Sequence, residues 1–333
     1  MTSCNTLPIL VGYRREGTFA HLVNLQRSFG KEFRILDLHS VEHCEKLVLE
    51  HIPKGFRVEI DDDVFHFGHG AVFYRGFFRP SHQSARSALL ARFIWELETG
   101  LQMLPASCLV MNRPEAGIGN ASKARHVAEL ANCGFRMPST LVSNRTDAVR
   151  ACVAPNGAWI NKGCSGVRTI AVAVGGPEAA RLDMLDSCPT LFQQHVRGYD
   201  VRAHMVGASC IALRIESDRV DYRYAKRQGG SIRVSPVDIP TVEQFKAIEY
   251  MQRTGLEFAG FDFKVDASGT WWLLEANPMP GFEFFDQFAG DRIGSEVLRS
   301  LLANGPLPRR PVLSKPGDLF IEASRVPGVD RAD

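Results

Sequence analysis

The sequence lacks long apolar runs and clustered cysteines. It contains no stretch of about 18 consecutive apolar residues, the approximate length that a helix needs to span a membrane. Its eight cysteines are scattered without a C-x-x-C pair or a Cys/His ligand spacing, so neither a zinc site nor a disulfide framework is indicated. The apolar run at residues 7–11 is too short for the core of a signal peptide, and basic residues follow it. We therefore expect no membrane partner and a reducing, cytoplasmic setting.

An excess of charge of one sign is also missing. Lys and Arg together number 39 and Asp and Glu 37, so the overall charge does not indicate a nucleic-acid partner. Hydrophobic residues make up 45% and charged residues 23% of the sequence, a balance typical of a globular protein. At 333 residues the chain is longer than one hydrophobic core usually serves. This length predicts two or three packed subdomains, with room for a site between them.

The first third of the chain has the apolar periodicity of an α/β arrangement. Gly100 is expected to end a helix that begins at Ser84, because glycine is common just after the last helical turn. Gly134 is expected to end a second helix in the same way. The predicted elements of this part are a strand at 7–13, a helix at 19–29, a strand at 33–38, a hairpin at 57–60 and 63–67, a strand at 71–74, and helices at 84–99 and 122–133.

Short alternating segments separated by glycine turns follow, which is the pattern of antiparallel strands. A helix that begins at Thr241 interrupts them. The change from α/β to antiparallel α+β predicts more than one domain. The strands expected here are 140–143, 159–162, 169–174, 190–195, 201–206, 209–214, 220–224, 258–265 and 271–276.

The strongest functional signal is the segment FAGFDFKVDASGTWWLLEANPMPGF, which predicts a hairpin. Asp262 lies on its first strand, and Glu275 and Asn277 lie two residues apart at the end of the second. A period of two directs such side chains to one face. Carboxylate and amide oxygens together with substrate phosphates suit Mg²⁺. The alternative is that these acids simply face water, but an unpaired charge inside such apolar strands is costly.

Two lysines form a second signal. Lys162 ends an apolar strand and precedes the small-residue segment GCSGV, whose backbone N–H groups could approach phosphates. Lys123 lies at the start of a helix, where free N–H groups also favour anions. The alternatives are an ordinary turn after a strand and a solvated lysine.

A third signal is the segment LFQQHVRGYDVRAHMVG, in which two strands are joined at Gly198. The backbone of Gln193, Gln194 and His195 could contact the edge of an adenine, and Asp200 could accept a hydrogen bond from a ribose hydroxyl. A plain hairpin is the alternative, and periodicity does not decide between them.

Taken in order, these segments resemble the ATP-grasp superfamily. The likeness is greatest to the branch that includes the ribosomal-protein-S6 glutamate ligase and the ligases that cyclise ribosomal peptides through ester or amide bonds. The stretches that carry it are ASKARHVAELANCGFRMPSTLVSN, WINKGCSGVRT, LFQQHVRGYDVRAHMVG, ALRIESDRVDYRYAKRQGG and the hairpin segment, which span about half of the chain. The chain departs from the family pattern at Gln194, where a glutamate is common, and at His195, where an apolar or aromatic residue is common.

The resemblance implies an ATP-grasp fold in which two α+β lobes enclose ATP behind an N-terminal α/β domain. It places the N-terminal domain at 1–115, the small lobe at 116–196, the C-terminal lobe with the metal site at 197–305 and a flexible tail at 306–333. It also implies roles for individual residues. Lys123, Lys162, Ser165 and Gly166 would contact the phosphates; Gln193, Gln194, His195 and Val196 would hold adenine, and Asp200 ribose; Asp262, Glu275 and Asn277 would hold two Mg²⁺ ions, with Mn²⁺ as the alternative; Arg202, Arg214 and Arg223 would face the phosphate and the substrate carboxylate.

The reaction implied is transfer of the γ-phosphoryl group of ATP to a carboxylate, followed by attack of an amine on the acyl phosphate. The product would be an amide, and the substrate an amino acid or a peptide, in natural-product biosynthesis. An ester-forming ligase and a nucleotide-binding protein without turnover stay open as alternatives, and relatives suggest a homodimer by analogy alone. Arg14, Arg15, Arg75 and Arg79 could line an anion pocket in the N-terminal domain, although scattered arginines are more often solvated.

Overall fold

The computed structural model describes residues 7–30, 32–76, 85–153, 158–164, 171–175, 181–218 and 229–303. Three of the predicted site residues, Ser165, Gly166 and Arg223, lie outside these ranges, as do the expected strand at 220–224 and the tail at 306–333. Within the described ranges, no helix combines the length and the apolar character needed to cross a membrane.

A four-stranded parallel sheet organises the amino-terminal part. Its strands are β1 (Ile9–Gly12), β2 (Arg34–Asp37), β6 (Ala71–Arg75) and β7 (Leu109–Met111), in the order β2-β1-β6-β7. The helix α1 (Gly17–Leu25) connects β1 to β2 and continues as a 3-10 helix at Gln26–Phe29. All described pairs of this sheet are parallel, which confirms the predicted α/β arrangement.

One face of this sheet is covered by a small antiparallel sheet and a long helix. The strands β3 (Leu47–Ile52), β4 (Gly55–Ile60) and β5 (Asp63–Phe67) pair in sequence, so the predicted hairpin is confirmed and β3 is an addition to it. The helix α2 (Ala85–Met103) packs against both sheets in one apolar core. The expectation that Gly100 ends α2 is wrong. A Cβ at Gly100 would lie 2.8 Å from the ring of Phe56, so the glycine permits close packing inside the helix.

The next four-stranded sheet forms the small lobe. It consists of β8 (Thr140–Ser143), β9 (Trp159–Gly163), β10 (Val172–Ala173) and β11 (Thr190–Gln194), in the order β10-β9-β11-β8, and its described pairs are antiparallel. The helix α3 (Lys123–Asn132) precedes the lobe and α4 (Thr146–Val153) packs on it. Trp159 and Phe192 point into the apolar core. Because strands alternate, Lys162 and Gln193 lie on the other face.

A five-stranded antiparallel sheet forms the centre of the third part. Its strands are β12 (Tyr199–Val206), β13 (Ser209–Ser217), β14 (Ile232–Pro236), β15 (Phe258–Val265) and β16 (Trp271–Asn277), in the order β14-β13-β12-β15-β16. The helices α3 and α5 (Thr241–Thr254) pack on one face. The opposite face meets α6 (Glu283–Ala289), α7 (Arg292–Leu302) and one side of the parallel sheet in a shared core. The amino-terminal part and the five-stranded sheet are therefore packed together.

Candidate active site

Cross-strand pairing places the predicted metal ligands side by side. Asp262 on β15 is opposite Glu275 on β16, and Gly260 is opposite Asn277. Arg202 on β12 is opposite Asp262 on its other side. Residues that face each other across neighbouring strands project to the same side of the sheet. A row of three charged side chains, Arg202, Asp262 and Glu275, therefore crosses three strands, with Asn277 in the adjoining row.

Lys123 completes this row beyond the edge of the sheet. As the first residue of α3, it directs its Nζ atom to Glu275 Oε2 at 3.2 Å and to Asn120 Oδ1 at 2.9 Å. Burial opposes ionisation of Glu275, but the charges of Lys123, Lys162 and Arg202 together hold the pKa of this carboxyl well below its usual range. Glu275 is therefore ionised at neutral pH, and cations approach it from both lobes.

Arg202 is the best-enclosed cation of the site. Its side chain is 7% exposed, its Nη1 lies 2.5 Å from Asp262 Oδ2, and its guanidinium lies over the ring of Phe285. Gly260 makes room for it: a Cβ there would lie 2.7 Å from Arg202 Nη2 and 2.8 Å from Pro280 Cβ. The glycine is thus required by the close passage of the arginine.

Lys162 reaches the site from the small lobe. Its Nζ lies 3.1 Å from Gln193 Oε1, and Gln193 Nε2 donates to Thr140 Oγ1 at 3.2 Å. These three residues belong to β9, β11 and β8, and they share the face opposite the core of the lobe. The structure therefore brings Lys162 and Gln193 together, a contact that the sequence did not predict.

The segment that joins the two lobes contains the remaining predicted nucleotide contacts. The amides of Gln194 and His195 donate to Ser139 O at 2.9 Å and Ala158 O at 2.8 Å, so these two N–H groups are already engaged. Burial lowers the pKa of His195, as do Lys264 and Arg197 nearby, and the imidazole is neutral at pH 7. Val196 follows directly and is partly buried.

Asp200 lies at the start of β12 on the same face as Arg202. Its Oδ2 accepts from Lys264 Nζ at 2.8 Å, and the two residues are cross-strand partners. The ion pair fixes the carboxylate beside the segment that joins the lobes.

Arg214 is not brought to the others. It is opposite Val201, whose side chain belongs to the core on the far face of the five-stranded sheet, and its guanidinium lies 3.8 Å from the centre of the Tyr199 ring. Its Nη2 pairs with Glu216. The sequence predicted strands for both Arg202 and Arg214. The face of the sheet on which each side chain lies depends on strand register, which spacing in the sequence does not give.

Sequence reasoning missed three residues that hold the β15–β16 hairpin and the segment after it in place. Asn112 donates to Phe258 O and Pro278 O, both at 2.6 Å, and accepts from the amides of Glu257 and Phe258. His126, on α3, accepts from the amide of Ala276 at 3.0 Å, so it satisfies an N–H that an edge strand leaves open. An asparagine after a strand and a histidine in a helix carry no sequence signal for these bonds.

Arg75 is the third, and it is neither solvated nor open to an anion, the two possibilities that the sequence left for it. It is 3% exposed. It meets Glu16 in a two-point salt bridge of 2.7 and 2.9 Å and donates to Pro280 O at 3.0 Å. Arg14 pairs with Asp37, and Arg79 lies outside the described residues. Arg75 thus fastens the hairpin to β6 and does not line a pocket.

The fold as a whole is similar to that of solved ligases, among them the ATP-grasp ligase PsnB. PsnB in complex with a minimal precursor, Mg and ADP is 25% identical with a TM-score of 0.71, and the match covers 91% of this chain and 98% of that one. The chain has the ATP-grasp fold. The macrocyclase MdnC of Microcystis aeruginosa, bound with its precursor peptide, is 18% identical with a TM-score of 0.71, and 90% of this chain and 100% of that one are covered.

A comparison with curated proteins finds similarity to named synthases. Human N-acetylaspartylglutamate synthase A is 27% identical over 259 residues, which is 71% of this chain and 62% of that protein. The chain thus spans less than two thirds of the length of this curated relative. No family model matches it.

Proposed function

We propose that the chain is an ATP-dependent carboxylate-amine ligase that forms an amide through an acyl phosphate and releases ADP and phosphate. The observation that carries this proposal is the charged row. Asp262 and Glu275 face each other directly, with Arg202 at one end and Lys123 at the other. Like charges opposite each other are destabilising, so the pair favours a bound cation, and the cationic ends favour phosphate.

The donor atoms fit Mg²⁺, which takes a few carboxylate or amide oxygens together with phosphate oxygens. Asp262, Glu275 and Asn277 would hold it, and we propose two ions, with Mn²⁺ as the alternative. When bound, the metal would neutralise phosphate charge and act as a Lewis acid. The complex of PsnB with Mg and ADP supports this assignment.

The remaining residues would bind and orient the nucleotide. Lys123 and Lys162 approach Glu275 from two elements, so phosphates held there would meet both ammonium groups. The segment from Gln193 to Val196 would contact adenine, and Asp200 ribose. Ser165 and Gly166 stay in the proposal as phosphate contacts.

The chemistry then needs positioning and charge neutralisation more than a protein nucleophile. A substrate carboxylate oxygen bonds to the γ-phosphorus as the bond to ADP breaks. The amine next bonds to the acyl carbon, phosphate leaves with the electron pair of the broken C–O bond, and the amine loses a proton. The buried guanidinium of Arg202 would stabilise negative charge in both steps. We propose the same role for Arg223.

We propose that a peptide supplies either the carboxylate or the amine of the new amide. PsnB and MdnC were both solved with precursor peptides bound, and the likeness to them covers nine tenths of the chain. The synthase relatives favour a free amino acid as the alternative, because the names N-acetylaspartylglutamate and β-citrylglutamate both contain glutamate. A homodimer is part of the proposal as well.

Product analysis tests the proposal. The full chain is incubated with Mg²⁺, ATP and pooled amino acids and short peptides, and ADP, AMP and phosphate are measured separately. ADP and phosphate that depend on both a carboxylate and an amine are expected. AMP and pyrophosphate would contradict the acyl-phosphate route, and phosphate transfer to a hydroxyl without amine dependence would identify a kinase.

A further inference from the structure

Two cysteine thiols that the proposed reaction does not use converge beside the strand of Lys162. Cys164 Sγ donates to the carbonyl oxygen of Pro189 at 2.7 Å, and Cys188 Sγ donates to the same oxygen at 3.6 Å. Because both bonds end on one atom, the sulfurs are separated by no more than the sum of these two lengths.

The strand pairing explains this convergence. Gly163, at the end of β9, is opposite Thr190, at the start of β11. Cys164 follows the first of these residues and Cys188 precedes the second by two positions. Continued by one residue, this register sets Cys164 opposite Pro189, the neighbour of Cys188, so the pairing brings the two strand ends together without making the cysteines direct partners. A disulfide joins Cα atoms about 4.4–6.8 Å apart, and the shared contact with the carbonyl oxygen of Pro189 holds both sulfurs on one side of this strand end.

We propose that Cys164 and Cys188 form an oxidisable pair, which small-molecule disulfides such as oxidised glutathione convert into an intramolecular disulfide that weakens nucleotide binding. Cys188 is exposed and Cys164 is half-buried, so an external disulfide reaches Cys188 first. Of the other described cysteines, Cys44, Cys108 and Cys133 are buried, which limits competing reactions at those sites.

The exchange proceeds in two steps. The Cys188 thiolate attacks one sulfur of the small disulfide, a mixed disulfide forms, and one small thiol leaves. The Cys164 thiolate then attacks the Cys188 sulfur and releases the second small thiol. The two protein thiols lose two electrons and two protons in total, and the small disulfide gains both as it becomes two thiols.

The position of Cys164 connects this pair to the nucleotide site. Cys164 lies two residues after Lys162, and its carbonyl oxygen accepts from the amide of Lys123 at 3.2 Å. A disulfide from Cys164 to Cys188, just before β11, would constrain the backbone at Cys164. This backbone is bonded to the amide of Lys123 and lies two residues from Lys162. This consequence rests on the function proposed above, whereas formation of the disulfide does not.

Peptide mapping of the full chain tests the pair. The protein is treated with a glutathione buffer of increasing oxidised fraction, the remaining thiols are alkylated, and the peptides are identified by mass spectrometry. A peptide that joins Cys164 to Cys188, and that disappears after treatment with dithiothreitol, is expected. Unmodified thiols, or glutathione on Cys188 without the internal bond, would overturn the proposal.

Calorimetric titration with Mg-ADP measures the consequence. Oxidation should weaken binding roughly tenfold, within the usual range of coupling between two sites, and reduction should restore it.

Two serine variants separate this pair from the other thiols. Cys188→Ser should bind ADP normally and lose its response to oxidation. Cys210→Ser, at a half-buried position on β13, should keep that response. A linked pair with unchanged ADP affinity would refute the regulatory effect. Absence of ADP binding in the reduced protein would instead count against the proposed function.

Discussion

Asp262 and Glu275 lie directly opposite each other on neighbouring strands, although both are carboxylates. Two like charges in this position repel each other, and the structure supplies Arg202 to one and Lys123 to the other. Two carboxylates that face each other in this way are typical of a site that binds cations.

Replacement of Glu275 by glutamine should remove one of these charges with little change in shape. We expect the magnesium-dependent affinity for ADP to fall by at least roughly tenfold, the order found when groups at metal sites are altered. Titration calorimetry with and without Mg²⁺ measures this. Glu296→Gln on α7 is the matched control, because Glu296 pairs with Arg299 one turn later in the same helix. Equal affinities for the two variants would remove Glu275 from the metal site.

The two arginines of neighbouring strands should behave differently. Arg202→Lys should lower turnover by on the order of 100-fold, because an ammonium cannot reproduce both the contact with Asp262 and the position over Phe285. Arg214→Lys should leave turnover close to that of the unchanged chain, since this side chain lies on the opposite face. Steady-state kinetics of ADP release compares them, and an equal loss in both would contradict the assigned faces.

Gly260→Ala tests the close passage of Arg202. The added methyl would lie 2.7 Å from Arg202 Nη2, so the guanidinium has to move. A displacement of this kind costs about 100-fold in rate when it misplaces a reacting group. Gly175→Ala is the control, because a Cβ there would meet none of the described residues within 4 Å. Turnover and urea unfolding are measured together, and full activity of Gly260→Ala would show that Arg202 need not occupy its present position.

Asn112 should contribute to stability through four hydrogen bonds to the β15–β16 hairpin and the residues that flank it. Asn112→Ala leaves buried backbone groups without partners, so the free energy of unfolding should fall by about 2–4 kcal/mol. Asn132→Ala, at the exposed end of α3, should change it little. Urea denaturation measures both, and a small effect at Asn112 would mean that other groups replace its bonds.

His126 should make stability depend on pH. Burial, with Lys123 nearby, lowers the pKa of His126 to about 4 from 6.5, so the unfolded chain binds a proton there between these values and the folded chain does not. Stability is therefore complete above pH 6.5 and decreases as the pH falls towards 4, by about 3 kcal/mol in total. His126→Gln can still accept from the amide of Ala276. Its unfolding free energy should fall less over this pH range, and parallel curves for the two proteins would contradict the assignment.

The sequence predicted the elements whose patterns are local. The antiparallel hairpin of Asp262 and Glu275 is found as expected, because a period of two along a strand fixes which side chains share a face. The helix predicted at 122–133 is found at Lys123–Asn132, and Ser122 caps it by accepting from the amide of Arg125.

Features that depend on distant parts of the chain were not predictable. The face of Arg214 is decided by its pairing with Val201, and β3 is recognised only through its pairing with β4. Gly100 has the sequence signature of a helix end, but contact with Phe56 decides its role. In the sequence Arg75 resembles a surface charge, and its contacts with Glu16 and the carbonyl oxygen of Pro280 are seen only in the structure.

The bonds from Arg75 and Asn112 to the segment after β16 have a consequence for modularity. The segment that includes Asn277 has its carbonyls satisfied by side chains from the amino-terminal sheet, more than 160 residues earlier in sequence. A chimera that receives its first 115 residues from a relative must therefore preserve an arginine, a glutamate and an asparagine at these places. Otherwise the recipient hairpin would lose its anchor, so exchange between relatives is restricted to pairs of parts that keep these contacts.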